Sequence, residues 1–115
     1  MEHRYYIRKN RLVEWKTIME IVRKEIEPRE YSGDIPGAKH ILEQLPQENG
    51  FVLKKWADVL FKEAQITNTI EIAHMALAKA ISAEAAFPDA KYKHTAKQLQ
   101  KCITQWIQQN HSISL

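Results

Sequence analysis

Between His3 and Arg11 the chain sets Arg4, Arg8, Lys9 and Arg11 beside Tyr5 and Tyr6, with no acid among them. Cationic side chains neutralise phosphate oxygens and tyrosine rings stack on unpaired bases, so this mixture has the chemistry of a nucleic-acid contact. The same segment folded onto mid-chain acids such as Glu25, Glu27, Glu30 or Asp34 would instead be an internal ion-pair surface. A second cationic group, Lys93, Lys97 and Lys101, lies in a stretch whose only acid after Pro88 is Asp89. By segment, residues 1–16 carry +3, 17–50 carry −3, 51–87 carry 0 and 88–115 carry +3. The positive charge thus sits at both ends. If the two ends pack side by side they form one basic strip, the electrostatic footprint expected of a phosphate-binding surface.

Other chemistry is poorly supplied. Glu71 and His74 have the Glu-x-x-His spacing of carboxylate di-iron bundles, but such sites need a second such element and two more glutamates. His40 and Glu43 run in the reverse order, so His74 is expected to be a partly buried or hydrogen-bonded histidine rather than a ligand. Cys102 is the only cysteine, which excludes an internal disulfide and a cysteine-based zinc site. It flanks an apolar stripe with no histidine at pairing distance, and burial there would leave the thiol inert. Gly33, Gly37 and Gly50 match neither a dinucleotide nor a P-loop fingerprint. No catalytic residue, cofactor or metal site is expected, and the chain reads as non-enzymatic.

Helical spacing sets the elements that position these groups. Leu12, Trp15, Met19, Val22 and Ile26 recur at steps of three and four, which predicts a helix that Pro28 should stop. Extended backwards, that helix would bring Arg4, Arg8 and Arg11 close to its apolar stripe, so residues 1–10 are either a basic arm or a projecting helix end. Glu30 to Asp34 reads as a loop. Asp34 and Pro36 then open a short helix carrying Ala38, Ile41, Leu42 and Leu45, ended by Pro46. After a turn at Asn49-Gly50, Leu53, Trp56, Ala57, Leu60 and Ala64 predict a helix from Phe51 to about Gln65. Thr67-Asn68-Thr69 should cap the most hydrophobic helix, Ile70 to Phe87, with Ile70, Ala73, Leu77 and Ile81 on one buried face. Ile72, Met75, Ala76 and Ala83 cover much of the other face, so neighbours are expected around it. Tyr92, Ala96, Leu99, Ile103 and Trp106 predict a final amphipathic helix. Lys93, Lys97 and Lys101 fall roughly 100°, 140° and 180° from its stripe, a solvent-facing row. Residues 111–115 should fray.

At 115 residues the chain suits one domain with one core, and with 44% hydrophobic residues and three tryptophans it is not a disordered composition. Three glycines and four prolines are too few for a many-turned β fold. The expectation is an all-α bundle of about five helices over residues 1–115. No apolar run is long enough to span a bilayer or follows the basic start as a signal peptide would, so a cytoplasmic location without membrane contact is expected.

Residues 76–81, Ala-Leu-Ala-Lys-Ala-Ile, followed by Phe87-Pro88-Asp89-Ala90, resemble the second helix and exit of a tetratricopeptide repeat. No second copy follows at that family's period, so its fold is not carried over. In size and charge the chain is also similar to the small helical subunits of ribonucleoprotein effectors such as CRISPR complexes, although without a shared motif. The leading expectation is a helical module that contacts nucleic-acid phosphates, including those of RNA, through Arg4, Arg8, Lys9, Arg11, Lys93, Lys97 and Lys101, with Tyr5 and Tyr6 stacking on bases. The alternative is an adaptor whose charged and apolar helix faces bind a protein partner.

Overall fold

In the computed structural model, which describes residues 15–113, the first helix does not stop at Pro28. α1 (Trp15–Ile21) runs into a π-helical turn (Val22–Ile26) and on into α2 (Glu27–Ser32). Proline lacks an N–H and its ring collides with the carbonyl four residues earlier in a regular helix. The wider turn, in which the Glu27 N–H reaches back to the Val22 carbonyl, relieves that collision. Arg29 Nη1 donates to the Glu25 carbonyl at 2.9 Å, adding a side-chain bond where the backbone ladder is interrupted. The extra residue also rotates the rest of the rod. A regular helix would set Ile18 and Ile26 about 80° apart, yet both are fully buried.

Gly33 ends α2 in the left-handed region at φ 88°. Asp34 then caps α3 (Ile35–Leu42), its carboxylate accepting from the Gly37 N–H at 3.0 Å. α3 is shorter than its apolar spacing predicts, because Leu45 lies in the following turn while remaining buried. Gln47 fixes that turn by donating to the Leu42 and Leu45 carbonyls at 2.8 and 2.6 Å. Asn49 caps α4 (Gly50–Thr67) by accepting from the Phe51 and Val52 N–H groups. Asn68, at φ 54°, closes α4. α5 (Ile70–Ala86) starts without a side-chain cap, since the Thr67 and Thr69 hydroxyls bond each other instead. α6 (Ala90–Ile113) completes the chain, and no strand occurs among the described residues.

The protein is therefore an all-α bundle, with α1, the π turn and α2 acting as the first of five rods. α5 lies between α4 and α6, which barely touch each other, while α3 and the first rod gather around α4. Three apolar clusters result. Ile18, Ile26, Ile35, Leu42, Leu45, Val52 and Val59 form one, from the first rod, α3 and α4. Ala57, Leu60, Ala64, Ala73, Ala76, Ala80 and Ile103 form a second, between α4, α5 and α6. Leu53, Ala83, Phe87 and Ala96 form a third, with Phe51 and Tyr92 against it. Trp56 packs on the first two and Phe51 on the first and third, which joins the three. Gly50 is needed at that corner, because a Cβ there would come within 2.6 Å of the Phe87 ring.

Candidate functional surfaces

Arg4, Tyr5, Tyr6, Arg8, Lys9 and Arg11 lie outside the described residues, as does any packing of that segment against α6. Of the lysine row, only two members face solvent. Lys93 is half-buried and its Nζ donates to the Glu84 carbonyl at 2.8 Å, in the last turn of α5. Carbonyls there have no partner within the helix and sit at the negative end of its dipole, so the ammonium is drawn inward. That corrects the expectation of a solvent-facing row.

Lys97 is exposed and lies 3.7 Å from the Glu84 carboxylate. Gln100 donates to Glu84 Oε1 at 2.8 Å and to the Ala80 carbonyl at 3.3 Å, so Glu84 and the α6 edge are tied together. Lys101 is exposed, and Lys91, outside the predicted row, joins it on the open side. Around them stand the exposed amides of Gln98, Gln105, Gln108 and Gln109, and no acid occurs in the sequence from Ala90 to Ile113. Lys97, Lys101, Thr104 and Gln105 with Glu84 line a shallow groove of about 750 Å³ between α5 and α6. The outer arc of α6 can attract an anion and hydrogen-bond it, with Glu84 beside Lys97, and Asp89, whose carboxylate accepts from the Lys91 N–H at 2.9 Å, opposing that field.

A different surface was not legible in the sequence. Ile81, expected in the core, is 52% exposed and Met75 is 54% exposed. α5 buries Ala73, Ala76, Ala80 and Ala83 instead. Alanine lets α4 and α6 approach closely, and two neighbours already occupy the inward arc of the helix. Ile81 is left on the opposite side with His74, Met75, Ala78, Ser82 and Ala85, all exposed. The expected partly buried His74 is thus in solvent. Glu71 is the only acidic side chain on this outer face. Glu71 is also exposed, and no metal-binding cluster of His, Cys, Asp or Glu exists among the described residues. Cys102 is likewise exposed rather than buried, since its position lies beyond the edge of the α6 stripe that Ala96 and Ile103 bury.

One ion cluster is interior. Lys55 is buried, its Nζ 3.0 Å from Glu30, 3.2 Å from Glu27 and 3.2 Å from Asp58, while Lys54 also reaches Asp58 at 3.1 Å. Burial pulls the Lys55 pKa down, but Asp58, Glu30 and Glu27 together outweigh it and raise the ammonium well above its ordinary value. Lys55 therefore stays protonated near neutral pH and has no free amine to act as nucleophile or base. Its work is to bind α2 to α4. The sequence signal was only the Lys55–Asp58 spacing on one helix, with nothing to bring Glu27 and Glu30 to it. Beside the cluster, Phe51, Phe87, Tyr92, Arg23 and Lys54 line an apolar cavity of about 280 Å³, at the small end for a ligand pocket. Compared with known proteins, the chain matches no family model, no curated protein and no solved structure.

Proposed function

We propose that this protein is a non-enzymatic helical binding module that contacts nucleic-acid phosphates through the outer arc of α6. The observation that supports this is the acid-free run of α6, with Lys91, Lys97 and Lys101 exposed among amides. Three such contacts give a weak, sequence-independent interaction; the cations of residues 4–11 would add to it. Titration of labelled single- and double-stranded oligonucleotides at several salt concentrations tests the reading. Affinity should fall linearly on a log–log plot as salt rises, with a duplex slope of about −2.7 from the α6 lysines alone. Absence of salt-sensitive binding at low salt would overturn it.

A second reading has its own support in the bare face of α5, where two large apolar side chains stand more than half exposed. On that reading the protein is an adaptor and α5 carries the contact. Replacing Met75 and Ile81 with glutamate should then abolish co-purification of a protein partner without altering oligonucleotide binding. Retention of every partner by that variant would remove the adaptor reading.

A further inference from the structure

We propose that the cavity between the first rod, α4 and α6 is a binding site for a small carboxylate with an apolar, ring-sized body, its carboxylate held by Arg23. The site is independent of both readings above. Met19 and Val22 from the first rod, Phe51 from α4, Phe87 from the α5–α6 link, and Tyr92 and Thr95 from α6 border about 280 Å³. Protein interiors leave few voids much larger than a water molecule, and a cavity of about 150 Å³ with apolar walls already takes up benzene. The space here therefore fits a ring and a short tail. Its wall is fixed in advance: Phe51 meets Phe87 and Tyr92 edge to face, at 5.1 and 4.9 Å between centroids, and Phe87 stacks on Tyr92 at 5.3 Å. Gly50 leaves room for the Phe87 ring against the α4 backbone, where a Cβ would come within 2.6 Å.

Charge selects the other end of the ligand. Val22, Arg23 and Glu27 of the lining belong to the π turn and the residue that closes it, a helical distortion frequent at functional sites. Of the cations there, Lys54 is held by Asp58, and Lys55 by Glu27, Glu30 and Asp58. Arg23 is different. It is exposed and its side chain makes no hydrogen bond or ion pair among the described residues, so the guanidinium fork is open to a planar two-oxygen acceptor. A cationic ligand would meet Arg23 and Lys54 at the mouth, and a neutral one would leave the fork unused. One buried ring and one ion pair that is partly in water give a dissociation constant of about 0.1–1 mM for the smallest such ligands.

The probe is 3-phenylpropionate, titrated to about 10 mM against protein carrying carbon-13 methyl methionine, with 3-phenylpropanol and 3-phenylpropylamine as its neutral and cationic counterparts. Met19 lines the cavity while Met75 stands exposed on α5. The ligand's ring current should therefore move the Met19 methyl signal, assigned by its loss in Met19→Leu, and leave that of Met75 in place. The alcohol and the amine should bind at least about fivefold more weakly than the carboxylate. Arg23→Gln should bring the carboxylate down to the level of the alcohol without changing the alcohol, and an unchanged circular dichroism spectrum confirms that this surface variant is folded. The absence of a saturable Met19 shift, or equal movement of Met19 and Met75, overturns the proposal. So does an amine that binds as tightly as the carboxylate, or a carboxylate affinity that Arg23→Gln leaves intact.

Discussion

The two halves of the bundle are held together by opposite means. Around the first half of α4, the first rod and α3 contribute large branched side chains, Ile18, Ile26, Ile35 and Leu42, and a buried ammonium ringed by three carboxylates. Between α4, α5 and α6 the centre is mostly alanine, with Leu60 and Ile103 as its bulk. The first half fills space between separated helices; the second removes the space by bringing helices together. The difference teaches where functional surface is left over. A helix that buries alanines keeps its larger residues free for the outside, and Met75 and Ile81 are the result.

The sharpest way to break the comparison is at Lys55. Lys55→Ala leaves Glu27, Glu30 and Asp58 clustered without their cation, and should cost about 3–5 kcal/mol in denaturant unfolding. A loss below about 1 kcal/mol would show that the first half does not depend on its ion cluster. Ile103→Ala tests the other half, where one of few bulky side chains holds the alanine core; about 2–5 kcal/mol is expected, read by the same method. Alkaline titration sharpens the contrast. Because the folded-state pKa of Lys55 is raised, its stabilisation is complete below the unfolded lysine value of about 10.4 and is lost as pH climbs above that. Thermal midpoints should fall in that window for the wild type, with the Lys55-dependent part absent from Lys55→Met. At the smallest end, Ile81→Ala should change stability by less than about 0.5 kcal/mol, since the side chain is mostly in water. On the cationic side, Lys91→Gln, Lys97→Gln and Lys101→Gln together should reduce the magnitude of the duplex salt slope by about 2.7.

Helix existence was legible because it rests on local chemistry, and Asp34 caps α3 as its position predicts; capping elsewhere was not, since Asn49, read as a turn residue, caps α4, and the Thr67–Thr69 cluster expected to cap α5 makes no side-chain cap. Pro28 misled because its cost was met by a local change of helix type rather than by termination. Ile81 misled for a different reason: periodicity of strongly apolar residues pointed to one side of α5, while the buried side is marked by residues whose value is small size rather than hydropathy. Lys93 was misplaced by the same kind of blindness, since the α5 carbonyl that captures it belongs to another helix. The Lys55 cluster joins positions 25 and 28 residues apart and depends on tertiary placement alone.

The π turn at Val22–Ile26 sets the rotational phase of everything after it. Its surplus residue is what lets Ile18 and Ile26 share a face, and with Ile26 come Glu27 and Glu30 on the approach to Lys55. Inserting a further residue there would turn the second half of the rod by about 100° and swing both carboxylates off their cation, whereas deleting Lys24 would set Ile18 and Ile26 seven residues apart, about 20° in a regular helix, and keep that phase. A one-codon insertion on an exposed turn would then act at the buried centre of the molecule, so this stretch is less tolerant of added length than its solvent exposure implies.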